Sequence, residues 1–449
     1  KTFWELAGEQ GVECGILNVP CTYPPRACRG FVISGLLSPA LDERATTSPQ
    51  ALDDLKGFSP EYRIDASVLK RRTEGVRERF MQRALAMVDA RLKAALGLYR
   101  KYRPPLFCVV FTAADRLSHF FWGDYESGGA LVNALPDVYG KLDQAVGALM
   151  EEVDEGADVL LVSDHGAGPL RKRLSIRRAL EQADLLSVPE PGPMRKLRRA
   201  ILMKVGRLCP RPVRTKLQDM FPRLSSRAID SVTSGDIDFA ESLTYPWESA
   251  CGVFVNLKGR QPEGMVEPGQ EYENVRNRVI ELFRGLEDPA TGRRVFKGVF
   301  RREEVWKGPR VEELPDVVLE LEEWIYDTKV TAGAIAEDVF GPLRGIDEPG
   351  LEDTGGHTRT GILMATGPHV KPGEVKGAEM VDVPATILAL LDCPVPGDFD
   401  GRVLGEMLTD DIQVSRFSEN GPDKGAEGRD FDSEEKDAVR HRLEDLGYL

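Results

Sequence analysis

The chain has 449 residues, 41% of them apolar and 29% charged, the profile of a globular protein long enough for two or three domains of ~150 residues. Its 73 acids outnumber its 59 bases, for a net charge of −14. That excludes a general nucleic-acid polymer as partner, which needs a dominant basic face, and no apolar run approaches the ~20 residues of a transmembrane helix.

Seven cysteines, an odd count without C-x-x-C spacing, are expected as reduced thiols in a cytoplasmic protein. Cys14, Cys21 and Cys28 recur at seven-residue intervals across a Pro-rich loop, which reads as coincidence rather than as a metal site. The opening, KTFWELAGEQGVECGILNVP, enters abruptly on a helix-then-strand pattern, so the chain reads as cut into rather than started.

Residues 1–40 predict a helix, the strand CGILNV, the turn PCTYPP and the strand GFVISG. Residues 71–103 predict one long amphipathic helix. Phe80, Ala84, Met87, Val88, Leu92, Ala95 and Tyr99 share one stripe, with arginines and lysines on the other face. The strand LFCVVF then runs into TAADRLSHFFW, and a helix follows at about 137–152 with Val138, Leu142, Val146 and Leu149 inward. VLLV, Val159–Val162, is apolar enough for a strand buried on both faces. Strand, helix and strand with short joints form a βαβ unit, which implies parallel pairing.

The character changes after residue 185. Residues 194–217 hold nine lysines or arginines and no acid. This basic stretch either guides an anionic substrate or headgroup or is a solvated helix face, and the solvated face is the expectation. CGVFVNL and DVVLEL are strands farther along, and GILMAT is another buried strand. VDVPATILALLD predicts a helix with Asp382 near its start and Pro384 in the first turn. The expected organisation is an α/β core over 1–185, an inserted α+β cap over 186–340, a return to the core over 341–408, and an acidic tail over 409–449 ending in a short helix.

Three of the five histidines stand at strand ends beside carboxylates or glycines: His119 in DRLSH, His165 in SDHG and His357 in GGHTRTG. Imidazole with carboxylate suits zinc, manganese or iron. Asp115 and His119 can face one point if the backbone is helical there. Asp164 and His165 are adjacent and need a turn at Gly166 to share a cleft. Gly355 and Gly356 permit close backbone approach before His357. Any one such pair is most often a hydrogen-bonded loop feature; three together point to metal. Five ligands, Asp115, His119, Asp164, His165 and His357, exceed one tetrahedral site, so two divalent ions are expected, zinc before manganese. A binuclear centre clamps the attacking and leaving oxygens of phosphoryl transfer, which makes a small phosphate or sulfate ester the expected substrate. His369 and His441 are left as surface residues.

FTAADRLSHFFW, VLLVSDHG, GGHTRTGILMATGPHV and VDVPATILALLDCPVPGDFDGRVL resemble successive motifs of the alkaline phosphatase superfamily, nearest its type I phosphodiesterase/nucleotide pyrophosphatase branch. TFWELAGEQG, NVPCTYPP, VISGLLSP and VFVNLKGRQPEG look like its prokaryotic members. The resemblance spans about residues 1–405. It implies a mostly parallel central sheet flanked by helices. It also implies one ion on Asp115, His119 and His357, and a second on Asp164 and His165 with an early aspartate and a Thr or Ser nucleophile. In the family both of the latter lie upstream of TFWEL, hence outside this chain. Thr22 and Ser163 substitute by type only, so the chain alone is expected to hydrolyse little or nothing. With the nucleophile, the implied reaction is a two-step in-line transfer through a covalent phospho-enzyme. A phosphotransferase or phosphomutase on the same scaffold, and a non-catalytic member that binds a phosphorylated ligand, are the alternatives.

Overall fold

The computed structural model describes residues 1–66, 74–188, 237–247, 251–328, 338–343 and 353–417, with 435, 436 and 439. The basic stretch 194–217 and His441 lie outside the described residues. The chain falls into two units, Lys1–Pro169 with Asp353–Leu449, and Leu170–Glu352.

A parallel sheet organises the first unit. Cys14–Leu17 is its central strand, flanked by Gly30–Ile33 and Leu106–Val109, with Ile16 opposite Val32 and Cys108. Alternate residues on these strands point to opposite faces. Ile16 and Val32 pack with Trp4, Leu6, Ala385 and Leu388, from the helices Phe3–Glu9 and Asp382–Leu390. Leu17, Phe31 and Ile33 pack the other way, with Ala51, Leu55, Ala94 and Leu98 from Pro49–Phe58 and Glu74–Tyr102. Burial on both faces is what the short unbroken apolar runs require. Local signals start the helices. Thr2 and Glu5 form a capping box ahead of Phe3, and Ser48 caps a helix that begins with Pro49.

The long helix buries Phe80, Ala84, Met87, Val88, Ala95 and Tyr99 as its stripe predicts, while Leu92 is half-buried. Its basic residues do not all face solvent. Arg77 turns inward to Asp124 and the Phe120 carbonyl, and Arg91 donates to the carbonyls of Arg63 and Ile64. A buried guanidinium is tolerated where its donors find acceptors.

The expected βαβ unit is corrected. Val159–Val162 pairs antiparallel with Leu363–Thr366, and no ladder joins it to Leu106–Val109 among the described residues. Neither strand of this pair is buried on both faces. Leu160, Leu363 and Ala365 pack inward against Ala389, Leu404 and Leu408. Leu161 and its cross-strand partner Met364 stay exposed on the other face. Apolar composition reports the affinity for a core, whereas the partner and its direction are set by distant residues.

The second unit holds an antiparallel sheet in the order Thr244–Trp247, Gly252–Val255, Val317–Leu321, Phe296–Arg301. Val275, Val279, Ile280 and Phe283, on one stripe of the helix Gln270–Arg284, join its core. The unit begins before residue 186 and ends after 340. The strand Lys172–Leu174 pairs with Tyr326–Asp327 and Phe340–Pro342, which draws residues 170–185 into it.

Candidate metal centre

Leu106–Val109 leads into the helix Ala113–Ser127, and Asp115 sits in its first turn, where the helix dipole favours a carboxylate. His119 follows one turn later on the same face, with Nε2 3.3 Å from Asp115 Oδ1. A two-stranded ladder supplies the other histidines. Gly355–Thr358 pairs antiparallel with Gly166–Pro169, placing His357 opposite Ala167, two residues from His165, which immediately precedes that strand. The His165 and His357 rings stack with centroids 3.7 Å apart.

Three imidazoles lie around Asp115 Oδ1, with His119 Nε2 at 3.3 Å. Asp115 Oδ1 lies 3.1 Å from His357 Nε2 and 3.9 Å from His165 Nε2, and His119 Nε2 is 3.0 Å from His357 Nε2. Two of the rings are fixed from behind. His119 Nδ1 faces the Gly355 carbonyl at 3.1 Å and Asp353 Oδ2 at 3.2 Å, and His165 Nδ1 faces the Gly166 carbonyl at 2.9 Å. A carbonyl oxygen only accepts, so each of these Nδ1 atoms carries a hydrogen and Nε2 is the nitrogen turned to the centre. Among the described residues, the group with ligand atoms close enough to hold an ion is Asp115, His165 and His357, all within 4.8 Å of one another.

Asp164 stands at the margin. Its side chain is 73% exposed, with Oδ2 3.7 Å from His165 Nε2. Thr22 and Ser163 are engaged in local structure: Thr22 Oγ1 donates to the Val19 carbonyl at 2.7 Å, and Ser163 Oγ accepts the Ile362 amide at 2.8 Å. His369 is not a bare surface residue, because its Nδ1 and amide both bond Asp158.

Supporting residues escaped the sequence reading. The buried Arg116 reaches Asp115 Oδ2 at 3.3 Å and Asp65 Oδ2 at 3.1 Å, so Asp65 holds the arginine that holds the Asp115 carboxylate. Arg116 lies inside the D-x-x-x-H motif, and that was an available signal; Asp65 carried none. Asp353, four residues before His357, was a second available signal. Thr354 ties this segment to the helix, its amide donating to the His119 carbonyl and its Oγ1 accepting the Gly123 amide. Gly355 is required there, because a Cβ would stand 2.2 Å from the Ser118 carbonyl oxygen.

Charge is distributed to match. Burial opposes ionisation of Asp115, yet hydrogen bonds from His119 and His357 and the Arg116 guanidinium hold its carboxyl well below the usual range. Burial also works against a charged His119, but Asp115 and Asp353 raise it to about 9. His357 is lowered by burial, with the charge of His119 and His165 adding to that against the pull of Asp115. Groups perturbed in this way are enriched at functional sites.

No described helix is long and apolar enough to cross a membrane. The family model described as type I phosphodiesterase / nucleotide pyrophosphatase matches residues 1–332, a span that holds Asp115, His119, Asp164 and His165 and stops short of His357. No curated protein and no solved structure matches the chain. With most of its length matched, the chain belongs to the type I phosphodiesterase/nucleotide pyrophosphatase family.

Proposed function

We propose that this protein is a metal-dependent hydrolase of phosphate diesters or nucleotide pyrophosphates with an alkaline phosphatase-like core. The observation that carries the reading is the convergence of Asp115 Oδ1 with three imidazole Nε2 atoms within 3.9 Å. One carboxylate and three imidazoles form a donor set suited to zinc or manganese. Divalent ions held there supply Lewis acidity to a phosphoryl oxygen and to the leaving oxygen.

In this reading Asp115, His119 and His357 hold one ion, and His165 with Asp164 holds a second. Arg116 and Asp65 keep Asp115 ionised and oriented. Asp353 and the Gly355 carbonyl fix the His119 ring. The attacking group is a Thr or Ser hydroxyl that the family resemblance puts ahead of residue 1. The setting is cytoplasmic, in keeping with six free cysteines among the described residues. A single-ion centre is the second reading. It is favoured by the closer mutual spacing of Asp115, His165 and His357 and by the exposure of Asp164.

The test is hydrolysis by the full-length gene product of a bis-nitrophenyl phosphodiester and a nitrophenyl monoester, with zinc or manganese. Diester cleavage, lost in His357→Ala by a factor of ~100 or more, is the expected result. Transfer of the phosphoryl group to an added alcohol would mark a transferase instead. Inertness toward both esters in a metal-loaded sample would leave a binding protein.

A further inference from the structure

Behind Asp115 runs a chain of buried polar groups that begins on the long helix Glu74–Tyr102. Arg91, on that helix, is 1% exposed, and a charge so buried ordinarily has an opposite charge beside it. Among the described residues none of its hydrogen bonds reaches a carboxylate. Its Nη2 donates to the carbonyls of Arg63 at 2.9 Å and Ile64 at 2.7 Å, and its Nη1 to the Thr112 hydroxyl at 3.3 Å. Its Nε has no partner among the described residues. Arg91 thus grips the backbone just ahead of Asp65 and, separately, the hydroxyl that lies against the Asp65 carboxylate.

Thr112 immediately precedes the helix Ala113–Ser127. A threonine there ordinarily caps the helix, its oxygen accepting an amide of the first turn. Thr112 makes no such bond. Its Oγ1 instead accepts from Arg91 and donates to Asp65 Oδ1 at 3.4 Å, as a hydroxyl can do both at once. Asp65 Oδ2 takes Arg116 Nε at 3.1 Å, and Arg116 Nη1 ends on Asp115 Oδ2 at 3.3 Å. Two guanidinia and two carboxylates therefore alternate, with Thr112 joining the first pair. Asp115, at the open end, is 27% exposed, while the other four side chains are buried. In such dry surroundings each hydrogen bond is stronger and polarises the next. Because Arg116 takes Oδ2, Oδ1 is the oxygen left facing the imidazoles.

We propose that Thr112 and Arg91 are positioning residues for the Asp115 carboxylate: they pin Asp65, Asp65 orients Arg116, and Arg116 turns Oδ1 toward His119, His165 and His357. This role rests on the metal-dependent reading above and adds to it the residues that preset the carboxylate ligand.

The test is zinc affinity of the full-length gene product by calorimetric titration, with the denaturation midpoint measured on the same samples. Thr112→Val keeps the side-chain shape and removes the hydroxyl, and is expected to bind zinc roughly tenfold more weakly. Thr112→Ser restores the hydroxyl and is expected to stay within about twofold of wild type. Arg91→Met should lose a similar factor, and Thr112→Val/Arg91→Met should be no weaker than the weaker single variant, since both break one chain. Tyr62→Phe is the packing control. The Tyr62 ring faces the Arg91 guanidinium at 5.6 Å, but its hydroxyl donates to Asn18 Oδ1 at 3.1 Å, outside the chain. Tyr62→Phe should lower the denaturation midpoint and leave zinc affinity unchanged. Wild-type zinc affinity in Thr112→Val, an equal loss in Thr112→Ser, or losses that add in the double variant overturns the positioning role. So does a loss in Tyr62→Phe as large as that in Thr112→Val. The two Thr112 variants decide the matter even where Arg91→Met does not fold. A wild type that takes up no zinc overturns the hydrolase reading, and the positioning role with it.

Discussion

His119 has acceptors on both sides of its ring, Asp353 and the Gly355 carbonyl at Nδ1 and Asp115 at Nε2. Its ordinary value of 6.5 rises to about 9 in the folded protein. The bound proton therefore stabilises the metal-free fold fully below about pH 6.5, and that contribution is lost as pH rises through about 9. A cation competes with this proton for the same nitrogen. Metal affinity is thus expected to climb up to ~10-fold per pH unit below about 9 and to level off above it. Calorimetric titration with zinc at pH 8, in buffers of different protonation enthalpy, should show about one proton released per ion bound at this ligand; His119→Ala should lose the slope. A pH-independent affinity would remove His119 from the ligand set. Asp65 offers a separate test. Removing it takes one of two carboxylates from the buried Arg116 and leaves Asp115 as the other, a loss of ~1.5–3 kcal/mol by the usual worth of a hydrogen bond to a charged group. Chemical denaturation of Asp65→Ala should read that loss, and its zinc affinity should fall as well. The D-x-x-x-H spacing was legible because helix geometry alone brings i and i+4 together. The Asp65 contact was not, since nothing local to Asp65 says which arginine it will meet.

The centre is assembled from one helix end and one short ladder, and Gly355 is where they touch. A Cβ there would meet the Ser118 carbonyl oxygen at 2.2 Å and the Trp122 Cβ at 2.9 Å. Gly355→Ala should push the strand Gly355–Thr358 away from the helix, costing ~1–3 kcal/mol and weakening zinc binding by displacing His357. Gly156→Ala, with open space around its Cβ position, is the control that should leave zinc affinity unchanged. Equal zinc affinity in both variants would show that the ladder does not set the His357 position. The long helix was readable from its period, as the stripe from Phe80 to Tyr99 illustrates. Strand pairing was harder. VLLV and GILMAT announced strands, yet their antiparallel match of Val162 with Leu363 depends on residues two hundred positions apart in the chain.

Asp115 and His165 come from one segment of the first unit and His357 from the other, and the second unit interrupts them in sequence. Lys172–Leu174 carries no compositional mark of its pairing with Phe340–Pro342, a contact between residues distant in sequence. The second unit has its own buried charge cluster. Asp316 is fully buried and accepts from Arg260, Arg302 and Tyr272. Asp316→Ala should destabilise that unit by ~3–5 kcal/mol while zinc uptake by the first unit stays intact, a combination that thermal denaturation and metal analysis would read together. The central claim is that Asp115, His119, His165 and His357 form a divalent-ion centre. Its most direct test is the zinc content of the purified, zinc-equilibrated full-length gene product by plasma mass spectrometry, for wild type and His357→Ala. The expectation is two equivalents in the wild type and at least one fewer in the variant. One equivalent in the wild type would restrict the centre to the single-ion reading. No bound zinc, or the same content in both proteins, would contradict it.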